Sequence, residues 1–116
     1  MGDAMRRWAV AGVVGAQLLV LTWASSVVAG SSDVEVTLFQ FRPVALEVTA
    51  GSAVTWVNQD DIRHTVTSGT PEAPGGAFDA ALAGRAATAT IRFAEPGVYP
   101  YFCSRHQAMR GEIRVR

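Results

Sequence analysis

The sequence predicts an all-β Greek-key sandwich of about seven to eight short strands, preceded by an N-terminal hydrophobic signal or anchor helix. Three observations carry this. From residue 34 onward apolar and polar residues alternate in short runs, with no sustained helical period. Gly, Pro, Asn and Asp punctuate those runs at intervals that suit a sandwich. Residues 1–29 have a composition unlike anything that follows.

In the leading segment, Arg6 and Arg7 form a short positive region, and Trp8 to Ala24 runs apolar apart from Gln17 and Thr22. Val27-Val28-Ala29 then offers small residues of the kind a signal peptidase reads. The segment is either a cleaved signal peptide or an uncleaved anchor, since Trp8 to about Gly30 is long enough to span a bilayer. Arg6-Arg7 leaves general and twin-arginine export both open. A lipoprotein anchor needs a Cys beside the signal, and the only Cys is Cys103. Residues 30–116 form one domain, small but sufficient for a core. Either form of the segment places that domain in the periplasm or otherwise outside the cytoplasm, secreted or tethered to the outer face of the cytoplasmic membrane.

The strands follow in order. Val34, Val36 and Leu38 alternate with Glu35 and Thr37, and then Phe39 and Phe41 fall on the opposite parity. A bulge or bend near Leu38–Phe39 would return both aromatics to the core. After Arg42-Pro43, the residues Val44, Leu46 and Val48 make the next inward row. Ala50-Gly51-Ser52 turns into a strand with Val54 and Trp56 inward, which Asn58 to Asp61 closes with turn chemistry. His64-Thr65-Val66-Thr67 begins another strand, with His64 on the Val66 face. Residues 68–77, rich in Gly and Pro, read as a loop.

Ala87, Ala89, Ile91 and Phe93 alternate in a further strand, and Glu95-Pro96-Gly97 turns. Tyr99, Tyr101 and Cys103 share a face; Pro100 between them demands an edge strand or a gap in pairing. Ile113 and Val115 give the last inward pair. The aromatics Phe39, Phe41, Trp56, Phe93, Tyr99 and Tyr101 read as core.

Composition excludes several roles. Formal net charge is zero and every basic residue is Arg, so no basic patch argues for nucleic acid. A single Cys rules out a disulfide within the chain and leaves a free thiol, an intermolecular bridge or a metal ligand.

The chemistry concentrates near the C-terminus. Cys103, His106 and Met109 give C-x-x-H-x-x-M, a thiol, an imidazole and a thioether within seven residues. Soft and borderline donors of this kind suit copper better than calcium or magnesium. The only other histidine, His64, starts a strand on an inward parity, so the candidate metal set is His64, Cys103, His106 and Met109. Taken singly, a buried Cys, an inward His or a Met near a strand is ordinary packing. Jointly, both histidines and the only cysteine fall in one set with a methionine at the matching step. Two imidazoles and a thiolate in a plane, with a weak axial thioether, is the blue-copper electron-transfer arrangement. No position remains for substrate, and no catalytic residue is assigned.

At this point the sequence resembles the cupredoxins, and its short ligand loop is most similar to that of amicyanin. The resemblance rests on F-x-F-x-P at Phe39–Pro43, G-x-x-V-x-W-x-N at Gly51–Asn58, D-x-x-H at Asp61–His64 and F-D at Phe78–Asp79. It rests above all on P-G-x-Y-x-Y-x-C-x-x-H-x-x-M-x-G from Pro96 to Gly111. It implies that His64 is the buried histidine ligand and His106 the one exposed at the sheet end, where electrons pass. It further implies that Asn58 ties the His64 segment to the ligand loop and that the Thr65 N–H points at the Cys103 sulfur. Many relatives carry Pro before the first His, where this chain has Arg63.

The expected function is an exported blue-copper electron carrier that meets transient redox-protein partners and works as a monomer. The alternative is a copper-binding or copper-delivery module with similar ligands. A copper oxidase or nitrite reductase needs more histidines than two, so no enzyme is expected. Arg63, Arg105 and Arg110 flank three ligands. They are either a solvated rim or a positive ring that steers an acidic partner.

Overall fold

A computed structural model describes residues 30–116, together with residues 12, 15–17 and 19–20 of the leading segment. The expected signal or anchor helix falls largely on residues outside that set. Among the described residues there are nine strands and no helix.

One sheet has the order β2-β1-β4-β7, built from β1 (Ser31–Thr37), β2 (Gln40–Arg42), β4 (Ser52–Asn58) and β7 (Thr88–Phe93). The other runs β3-β9-β8-β5-β6, from β3 (Ala45–Val48), β5 (His64–Thr70), β6 (Ala73–Leu82), β8 (Gly97–Phe102) and β9 (Arg110–Val115). Consecutive strands pair directly only as β1–β2, β5–β6 and β8–β9; the other connections pass between the sheets. The pairs β1–β4 and β3–β9 are parallel. Crossing connections of this kind are what the Greek-key expectation requires.

The period-2 alternation places the core as expected. Val34, Val36, Val54, Trp56, Val66, Ile113 and Val115 are buried between the sheets. Phe41, Trp56 and Tyr101 interlock edge to face, with ring centroids 4.7 and 5.3 Å apart.

Three expectations need correction, and for a fourth, Pro100, one of the two open alternatives holds. The parity break at Leu38–Phe39 is a tight hairpin turn with positive φ at both residues, not a bulge. It turns Phe41 into the core and leaves Leu38 and Phe39 exposed. Val44 is likewise exposed, because β3 begins only at Ala45. The Gly- and Pro-rich stretch 68–77 is mostly strand: β5 continues to Thr70 and β6 starts at Ala73. The register shifts between Thr67 and Gly69, and Ser68 Oγ accepts the amides of Ala77 and Phe78 at 2.8 and 3.1 Å. Gly69 has φ +92°, and a side chain there would strike the Gly75 backbone. Pro100 lies in an interior strand; its ladder to β5 covers only Tyr101 and Phe102, so the gap, not the edge, accommodates the proline.

Candidate metal centre

Five segments meet at one end of the sandwich: the β1–β2 turn, the end of β4, the start of β5, the end of β6 and the β8–β9 loop. The β4–β5 connection delivers His64, and the β8–β9 loop carries Cys103, His106 and Met109. That loop is closed by two backbone bonds, Cys103 N to Met109 O at 3.0 Å and Met109 N to His106 O at 2.8 Å. Its seven residues therefore form a compact turn with Met109 buried beside Cys103.

The ligand atoms of His64, Cys103 and His106 all lie within 4.8 Å of one another. Cys103 Sγ stands 3.8 Å from Nδ1 of His64 and 3.8 Å from Nδ1 of His106. For bonds of about 2.3 Å to sulfur and about 2.0 Å to nitrogen, a trigonal angle sets those atoms about 3.7 Å apart. The spacing thus suits one metal ion shared by the three. His64 and Cys103 are fully buried, whereas His106 is half-buried.

The surroundings prepare each donor. The N–H of Thr65 donates to Cys103 Sγ at 3.4 Å, as the resemblance implied. Thr65 Oγ1 accepts the amide of Ser104 at 2.8 Å, so β5 grips the ligand loop directly after the cysteine. The Asn58 expectation is corrected. Its Nδ2 donates to Ile62 O at 2.8 Å and Leu82 O at 3.3 Å, and its Oδ1 accepts the Asp60 amide at 2.9 Å. Ile62 and Asp60 within the turn and Leu82 at the end of β6 take up its side-chain amide. Asn58 thus fixes the turn, and Thr65 makes the link to the loop.

Asp60 and Phe39 are site residues that sequence reasoning missed. Asp60 Oδ2 lies 2.7 Å from His64 Nε2, and the carboxylate also accepts the amides of Leu38 at 2.9 Å and Phe39 at 3.3 Å. Partial burial works to raise the Asp60 carboxyl, but the N–H of Leu38, the His64 ring and the N–H of Phe39 together hold it below the usual range. A carboxylate at Nε2 keeps the proton there and leaves Nδ1 free for a metal. Phe39 stands edge to face with both imidazoles, at centroid distances of 5.6 Å to His64 and 5.0 Å to His106. The signals available in sequence were a carboxylate four residues before a turn-following histidine and an aromatic at the parity break.

Of the three flanking arginines, Arg110 is engaged: its guanidinium meets Glu72 at 2.9 Å and Gln107 O at 3.3 Å. Arg63 and Arg105 are exposed and make no side-chain hydrogen bond or ion pair among the described residues.

Comparisons with known proteins agree with this geometry. Residues 28–116 match the family described as copper binding proteins, plastocyanin/azurin family. Amicyanin-alpha of Methylorubrum extorquens is 30% identical over 87 residues, covering 75% of this chain and 73% of that protein. A plastocyanin of Scenedesmus fuscus is 33% identical over 84 residues, covering 66% of this chain and 86% of that one. In fold, a purple cupredoxin from Nitrosopumilus maritimus superposes with a TM-score of 0.68 at 24% identity, covering 73% of this chain and 99% of its own.

Proposed function

The chain belongs to the plastocyanin/azurin family of copper-binding proteins, and on that premise we propose that it is an exported blue-copper electron carrier, not an enzyme. His64, Cys103, His106 and Met109 would hold one copper ion. The observation that carries this is the pair of 3.8 Å separations from Cys103 Sγ to the two Nδ1 atoms, on a buried, cross-braced scaffold. Bound there, copper supplies one-electron cycling between Cu(I) and Cu(II).

The chain's residues do the rest. The Thr65 N–H draws charge from the sulfur, and Asp60 fixes the His64 tautomer. The two loop-closing backbone bonds and the Thr65–Ser104 link hold the donors in one arrangement, so little reorganisation accompanies electron gain or loss. His106, the only half-exposed imidazole, is the electron port. Residues 30–116 form the copper domain, and residues 1–29 are its signal peptide or anchor, which places the carrier in the periplasm or on the outer face of the cytoplasmic membrane. It works as a monomer. Its transient redox partners present acidic rims to Arg63 and Arg105, which are exposed and make no side-chain hydrogen bond or ion pair among the described residues.

The oxidised protein tests this. An intense red absorption from thiolate-to-copper charge transfer, with reversible voltammetry, supports the carrier. Absence of the band with fast copper loss to a chelator supports a delivery module instead. A buried, cross-linked cage favours the first, since delivery needs a site that opens.

A further inference from the structure

Asp60 carries more than a histidine proton. Its Oδ1 takes the Leu38 amide, and its Oδ2 takes both the Phe39 amide and His64 Nε2. The turn it grips is unusual: Leu38 and Phe39 have φ of 50° and 59°, a region that residues with side chains rarely adopt. Such a backbone persists only where its surroundings over-determine it, and such sites cluster at functional centres. Here the β1–β2 ladder closes the turn at Thr37 and Gln40, and one carboxylate takes both of the turn's amides. The product of the strain is the position of Phe39, whose ring stands against both imidazoles although it is 52% exposed. A large aromatic left half in water, on a strained turn, is not explained by core packing.

We propose that Asp60 is a positioning residue that joins the β1–β2 turn to the metal centre, setting the electron affinity of the site through His64 and seating Phe39 as its cover. The inference rests on the copper reading. Two effects follow from the geometry. A carboxylate on Nε2 makes His64 a stronger donor, and its charge favours the more positive copper state, so the reduction potential is held down. The two amide bonds keep Phe39 between water and the two rings, so exogenous ligands are kept off the metal.

The variants Asp60→Asn and Phe39→Ala separate the two effects. Asn keeps the size and one acceptor oxygen but removes the charge. Asp60→Asn should lower Cu(II) affinity relative to Cu(I) by about tenfold, which is a rise of ~59 mV for a one-electron couple. Phe39→Ala should move the potential less and admit azide, seen as a changed visible spectrum. In metal-free wild-type protein the Leu38 and Phe39 amides should exchange with solvent slowly, and at least tenfold faster in Asp60→Asn. An unchanged potential in Asp60→Asn overturns the charge role, and unprotected amides in the wild type overturn the positioning role. If wild-type protein shows no reversible copper couple, the electron-carrier reading fails. The exchange measurement, made without metal, still decides for or against Asp60.

Discussion

The ring of Tyr101 lies so close over Gly111, its cross-strand partner on β9, that a Cβ at Gly111 would stand 2.5 Å from it. The ring has no room to retreat, because Phe41 and Trp56 pack edge to face against it. Gly111→Ala therefore overpacks the core and should cost about 1–3 kcal/mol. For a domain of this size, thermal unfolding should show a Tm lowered by roughly 4–8 °C per kcal/mol.

Alkaline pH should weaken the fold through the same side chain. Burial pushes the Tyr101 phenol up to about 12, with the Trp56 indole acting weakly the other way. The folded state thus favours the neutral phenol. Its stabilisation is complete below the unfolded value near 10 and is lost as pH rises from there to about 12, a change of about 3 kcal/mol. Urea titrations of metal-free protein across that range should show the fall. Tyr101→Phe should abolish it at little cost near neutrality, since the buried hydroxyl has no hydrogen-bond partner among the described residues.

Thr65→Val removes the oxygen that accepts the Ser104 amide. Ser104 is exposed and its freed N–H can turn to water, so the lost bond should cost about 0.5–1.5 kcal/mol. The Thr65 N–H to sulfur bond is backbone and survives, so the visible band of the copper form should persist while its midpoint in denaturant falls. A lost band would place the hydroxyl in the ligand sphere's support rather than in loop anchoring.

Cys103→Ala should leave far-UV circular dichroism intact and abolish high-affinity copper binding. Copper at a hundred times the dissociation constant stabilises a folded protein by about 2.7 kcal/mol. Wild-type Tm should rise on adding copper, and that of Cys103→Ala should not. Equal rises in both would remove Cys103 from the metal set.

Arg63→Gln combined with Arg105→Gln should slow electron transfer to an acidic redox partner at low salt and flatten its dependence on ionic strength. Stopped-flow rates across a salt series measure this. A salt dependence identical to wild type would show that the two guanidinium groups are only a solvated rim.

Much of this molecule is legible in its sequence, for physical reasons. Alternation reports sheet faces directly, so Val34, Val54, Trp56, Val66 and Ile113 fall inside as expected. The cluster of His64, Cys103 and His106 is legible because two of its members are local in sequence and His64 is the only other histidine. What escapes is what depends on contacts between distant segments. Phe39 reads as core because a parity break does not say whether it is a bulge or a two-residue turn. The stretch 68–77 reads as loop because a strand carrying Gly69, Pro74 and Gly75 owes its pairing to a bulge and to Ser68, not to propensity. Asp60 reads as a turn former because its three hydrogen-bond partners reach as far back as Leu38.

The direction of β1 has one more consequence. The strand starts at Ser31 and ends beside the Leu38–Phe39 turn at the metal end. At about 3.3 Å per residue, its first residue lies about 20 Å away, at the opposite pole. Whatever precedes Gly30 is thus attached at the pole opposite His64, Cys103 and His106.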